Sequence, residues 1–125
     1  MEKINLQPLR ITAGWCIEWN LFYEVDPSKE TMHYLDSSSL LHLENHQLMR
    51  AINLDFKPEK DVNGDFYLRV INLTKIINKK GHINYEGDWE NPYFELKSKN
   101  RLEIVQEIER LVVQLPIFKN NNKNL

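Results

Sequence analysis

Residues 15–25 alternate almost without fault: Trp15, Ile17, Trp19, Leu21, Tyr23 and Val25 share one parity, and Cys16, Glu18, Asn20, Phe22 and Glu24 the other. Successive side chains of a β-strand point to opposite faces, so a period of two over this length predicts a strand with one apolar and one wetted face. Two Trp and a Tyr on a single face commit a large apolar area, and Trp15, Ile17, Trp19 and Leu21 are therefore expected to organise the core. The run stops at Asp26-Pro27-Ser28, where proline cannot donate to a ladder and Asp-Pro starts a turn.

Further strands are expected over residues 31–35 and 40–44, separated by a loop at positions 36–39. Ile52, Leu54 and Phe56 form one apolar row, and Phe66, Leu68 and Val70 another, across a polar connection that holds Pro58, Asn63 and Gly64. This pattern predicts a β-hairpin. Tyr67, Ile71 and Leu73 make the second strand apolar on its other face too, which places it centrally in a sheet. Minor strands are expected from Ile83 to Tyr85 and over residues 93–97.

The helix signal lies at residues 100–115. Asn100 can cap the first turn, Glu103 stands three residues later at capping-box spacing, and Pro116 ends the run. Ile104, Ile108, Leu111 and Leu115, with Val105 and Val112, recur at helical intervals and form the stripe that should pack on Trp15, Ile17, Trp19 and Leu21. The expected fold is α+β, a single domain over residues 1–118: a mainly antiparallel sheet of five or six strands packed by a C-terminal helix. The segment 119–125, nearly all Asn and Lys, lacks apolar residues to offset ordering entropy and is expected to be a disordered tail.

A chain of 125 residues suits one core, and its formal net charge of −2 gives no global attraction to nucleic acid. The single cysteine, Cys16, is expected to be an interior thiol in a reducing compartment. Neither a signal peptide nor a long apolar span is visible, so a cytoplasmic protein without a membrane segment is expected.

His42 and His46 are four residues apart, but Leu43 stands where a zincin helix needs Glu, and the pair is read as surface or turn histidines, with no metal or other cofactor expected. Cys16 shows no helix-start or oxyanion setting, Ser37 to Ser39 are read as loop residues, and no glycine-rich phosphate cradle is present. No catalytic residue is assigned, and an enzyme is not expected.

The segment from Glu86 to Glu95 is the densest candidate, with Glu86, Asp88, Glu90 and Glu95 gathered around Trp89 and Tyr93. Carboxylates there could perform acid-base chemistry, could bind a basic partner with Trp and Tyr as anchors, or could solvate a loop whose Trp plugs the core edge. Glu86, Asp88, Trp89, Glu90, Tyr93 and Glu95 are taken as the expected partner-binding residues.

Several stretches resemble small single-domain bacterial proteins of the immunity-protein type found in polymorphic toxin systems. They are Pro8-Leu9-Arg10-Ile11 through Gly14-Trp15, Asn20 to Pro27, Asn53 to Gly64, and Trp89-Glu90-Asn91-Pro92 before the helix. The resemblance covers most of the chain and carries no catalytic motif. It implies a cytoplasmic protein that neutralises a toxin by binding it, with an acidic surface in a basic cleft. A small-ligand-binding domain, with sheet aromatics lining a pocket, is the alternative from a different class.

Overall fold

The expected hairpin forms the centre of the structure: β3 (Arg50–Lys57) and β4 (Asp65–Ile77) pair antiparallel, with Ile52 opposite Val70, Leu54 opposite Leu68 and Phe56 opposite Phe66. The computed structural model describes residues 3–36 and 39–119. β2 (Ser39–Asn45) pairs with the free edge of β3, and β1 (Cys16–Asn20) with β2. The other edge of β4 is shared. β6 (Phe94–Ser98) takes its first half, and β5 (Ile83–Gly87) its second. The result is a six-stranded antiparallel sheet in which β4, as its two apolar faces predict, is central.

Helix α1 (Arg101–Gln114) covers one face of the sheet. Asn100 caps it, its side-chain oxygen accepting from Leu102 N at 3.0 Å and Glu103 N at 3.2 Å. Glu103 does not close the expected capping box, because the Asn100 amide donates to Ser98 Oγ instead. Ile104, Ile108, Leu111, Val112 and Leu115 are buried against Leu41, Leu43, Ile52, Leu54, Phe66 and Leu68. The outer side of the helix is strapped by the N-terminal segment: Trp15 Nε1 and Thr12 Oγ1 both donate to Val112 O, and Arg10 N donates to Glu109.

Two expectations are corrected. Residues 31–35 are not a strand; Lys29–Tyr34 is a 3₁₀ turn, locked by Thr31, whose hydroxyl accepts from Ser28 N and donates to Asp26 O. The long strand at residues 15–25 is cut to five residues, and of its apolar parity only Val25 at the far end is buried. Ile17 is 52% exposed, Trp19 44% and Leu21 43%, whereas Phe22, of the opposite parity, is 1% exposed. Trp15 alone of the expected four is partly buried against the core.

The cause is local. Ile17 pairs with Leu43 but Trp19 pairs with His42, so a bulge between them adds a residue and moves Trp19 to the face away from the helix. Beyond the strand, the Asn20 side chain accepts from Phe22 N at 3.0 Å, turning the backbone so that Phe22 enters the core edge-on to Phe66. The tail expected at 119–125 lies, from residue 120 onward, outside the described residues, as do positions 37 and 38 of the expected loop.

These placements separate two neighbours in the sequence. Phe22→Ala should cost about 3 to 5 kcal/mol, the usual range for emptying a filled aromatic site. Ile17→Ala, at an exposed position, should cost within about 0.5 kcal/mol. Urea unfolding of the two variants measures both, and a large loss at Ile17 would contradict its exposed placement.

Candidate functional site

Cross-strand partners share a face, and one row of partners runs across five strands: Trp19 opposite His42, His42 opposite Asn53, Asn53 opposite Arg69, and Arg69 opposite Glu95. This row lies on the sheet face turned away from α1. Such polar side chains are costly to bury without partners, and here nearly all of them are paired.

Asn53 is the junction. Its Nδ2 donates to Asp55 Oδ1 at 2.8 Å, which leaves Oδ1 to face His42 Nδ1 at 3.1 Å and to accept from Ser39 Oγ at 3.0 Å. Ser39 Oγ in turn accepts from Trp19 Nε1 at 3.0 Å. Asp55 binds Arg69 through Oδ2 at 2.7 Å. On the other side of the imidazole, His42 Nε2 meets Glu44 Oε2 at 2.8 Å, and the second oxygen of Glu44 meets His46 Nε2 at 2.8 Å. Both nitrogens of the buried His42 ring therefore face acceptors.

Aromatic rings close over this chain. Trp19 stacks on His42 with centroids 4.8 Å apart and planes 18° from parallel. Trp89 reaches back from the loop after β5 to within 5.9 Å of the same ring, and the Arg69 guanidinium lies 4.9 Å from Trp89 and 5.0 Å from Tyr67. Gly87 makes the return of Trp89 feasible, since a Cβ there would stand 2.5 Å from Ile71 Cδ1 and 3.1 Å from Trp89 Nε1. Arg69 Nε is buried without a hydrogen-bond partner among the described residues.

The structure distributes the six expected partner-binding residues unequally. Trp89, 43% exposed, sits over the His42 row, and Glu95 ends that row. Burial and a hydrogen bond to Glu95 push the Tyr67 phenol above its ordinary range. Asp88 is exposed and organises the loop, its backbone N–H donating to Asn72 O and its carboxylate accepting from Asn91 N. Glu86 lies on exposed β5 opposite Thr74, and Glu90 is exposed in the loop. Tyr93 is not on the His42 face: its ring lies 4.0 Å from the Arg50 guanidinium, which donates to Pro116 O beyond α1.

Trp19, His42, Asn53, Tyr67 and Arg69 were absent from the sequence-based site. Their signal was the polar residue at every second position of otherwise apolar strands, His42 and Glu44, then Asn53 and Asp55. Cys16 is also corrected: it is exposed on the edge strand, and its hydrogen bond to Glu18, reinforced by the Glu18 and Glu44 charges, pushes the thiol up and keeps it protonated.

A cavity of about 500 Å³ opens at the start of α1 between Asp26, Val62, Lys99 and Arg101, and one of about 130 Å³ between Lys57, Asp65, Tyr67 and Lys97. Neither lies over His42. Comparison with protein-family models, curated proteins and solved structures gives no match. No helix among the described residues is long and apolar enough to cross a membrane.

Burial alone would raise the Glu44 carboxyl, but the hydrogen bonds from His46 and His42 outweigh it and hold the group below its ordinary value of 4.5. A carboxylate depressed in the folded state stabilises the fold above its unfolded value, and that contribution is lost as pH falls through the folded one. Glu44→Gln should therefore destabilise the protein at about pH 6.5 and progressively less toward about pH 3. Urea unfolding of both forms across that window checks this, and a pH-independent difference would contradict the network.

Proposed function

We propose that this chain is a non-enzymatic protein-binding domain of the immunity or inhibitor type, acting in the cytoplasm by occupying a toxin domain. The observation that carries the reading is the pair of half-exposed tryptophans, Trp19 and Trp89, whose rings lie 4.8 and 5.9 Å from that of buried His42. Trp is a preferred anchor at protein interfaces, and side chains already fixed by stacking lose little further freedom on binding. Acids surround the anchors: Glu18 on the β1 side, and Glu86, Asp88, Glu90 and Glu95 on the β5–β6 side. A basic partner surface complements that rim.

Two features favour binding over catalysis. His42 has both ring nitrogens occupied, and the Cys16 thiol is protonated beside Glu18 rather than activated by a base. The neutralising role rests on the resemblance carried by residues 8–15, 20–27, 53–64 and 89–92.

The test is binding kinetics against a toxin domain identified by co-purification, with thermal melts in parallel. Trp19→Ala and Trp89→Ala should each raise the dissociation rate by about tenfold or more, as loss of an interface anchor does. Asp88→Lys with Glu90→Lys should chiefly slow association and flatten its salt dependence. Wild-type kinetics in both folded Trp variants would overturn the proposal.

A further inference from the structure

At the edge of the sheet beside the tryptophan face, three potential ligands converge from three different features. Glu18 is the residue added by the β1 bulge, Glu44 is near the end of β2, and His46 opens the turn into β3. One ligand atom from each lies within 4.8 Å of the other two. We propose that Glu18, Glu44 and His46 form a binding site for a divalent transition ion of the zinc class, separate from the two tryptophan anchors on which the protein-binding reading stands.

The poses of two ligands are set by groups outside the trio. The His46 ring lies flat on Tyr85, with centroids 3.6 Å apart and planes 8° from parallel, and its Nε2 is turned to Glu44. His42 occupies Glu44 Oε2, which leaves Oε1 directed at His46. Ligating groups in metal sites are commonly oriented by such outer partners. The turn that presents His46 is fixed as well, with Asn45 Oδ1 accepting from Gln47 N and Leu48 N.

The geometry needs only a small adjustment. Ligands of a tetrahedral ion with bonds of about 2.1 Å stand about 3.4 Å apart. The Glu44–His46 contact of 2.8 Å opens slightly as the ion enters, and the exposed Glu18 carboxylate swings in to close the third side. The ion takes the Nε2 lone pair, with the imidazole proton on Nδ1. One imidazole with two carboxylates suits zinc better than magnesium or calcium, which prefer oxygen alone. Three protein ligands leave a fourth position for water or for a side chain of another molecule. Bound there, the ion would tie edge strand β1 to the β2–β3 turn.

Calorimetric titration of the metal-stripped full chain with zinc chloride tests the assignment, with magnesium chloride alongside. One zinc per chain is expected, with no comparable magnesium binding, and zinc should raise the melting temperature. Loss of even an outer partner typically costs about tenfold in affinity, so Glu18→Gln and His46→Gln should each weaken zinc binding by at least about that much. His82→Gln should leave it unchanged. Glu18 is exposed and its replacement should not perturb folding, which circular dichroism checks. Wild-type affinity in folded Glu18→Gln and His46→Gln, or an equal loss in His82→Gln, would overturn the site.

Discussion

The structure turns on the side-chain amide of Asn53. It is 2% exposed at the centre of the sheet, where an unpaired polar group would cost about 1 to 3 kcal/mol. Its donation to Asp55 fixes which end of the amide faces His42, and the resulting chain sets the poses of Ser39, His42 and Trp19 on one side and Arg69 on the other. A sheet face that could have been apolar is thus filled by mutually satisfied polar groups. Such networks specify one arrangement more sharply than interchangeable aliphatic contacts do, because a partly satisfied version is heavily penalised.

That arrangement explains why the two faces differ in character. Toward α1, burial is achieved by aliphatic and Phe side chains whose order follows directly from strand alternation and helical spacing. Away from α1, the small cluster of Ala51, Ile71 and Leu73 covers only one end, with Met49 and Tyr85 packed on it. The remainder is covered by Trp19 and Trp89, each with part of its ring still in solvent. These indoles do for the second face what the helix does for the first, over a smaller area and with surface left for contact.

Much of the fold was legible in the sequence because its elements obey one period each. The β3–β4 hairpin, the central position of β4 and the helix with its Asn100 cap follow from local patterns that nothing interrupts. The segment at residues 15–25 misled for a definite reason: a bulge preserves strand composition while reversing parity, and the register that reveals it belongs to the partner strand β2. Phe22 reaches the core through a side-chain turn at Asn20, which competes with strand continuation. Of the site, Trp89 and its acids stood out as a local cluster. The row from Trp19 to Glu95 joins residues from five strands, and no local window contains it.

Charge acts on this surface at short range. A formal net charge of −2 over the whole chain produces little long-range field, and screening confines each carboxylate to a radius of roughly 8 Å at physiological ionic strength. The distribution around the two tryptophans therefore matters more than the total. Glu44 and Asp55 already serve His42, His46, Arg69 and Lys57, and little of their charge is free to act outward. Glu86 and Glu90, exposed on β5 and its following loop, belong to no ion pair among the described residues and project their charge into solvent. The inner acids thus hold the face in shape, and the outer ones give it a sign, so the same residue type supplies structure at the sheet centre and recognition at its rim.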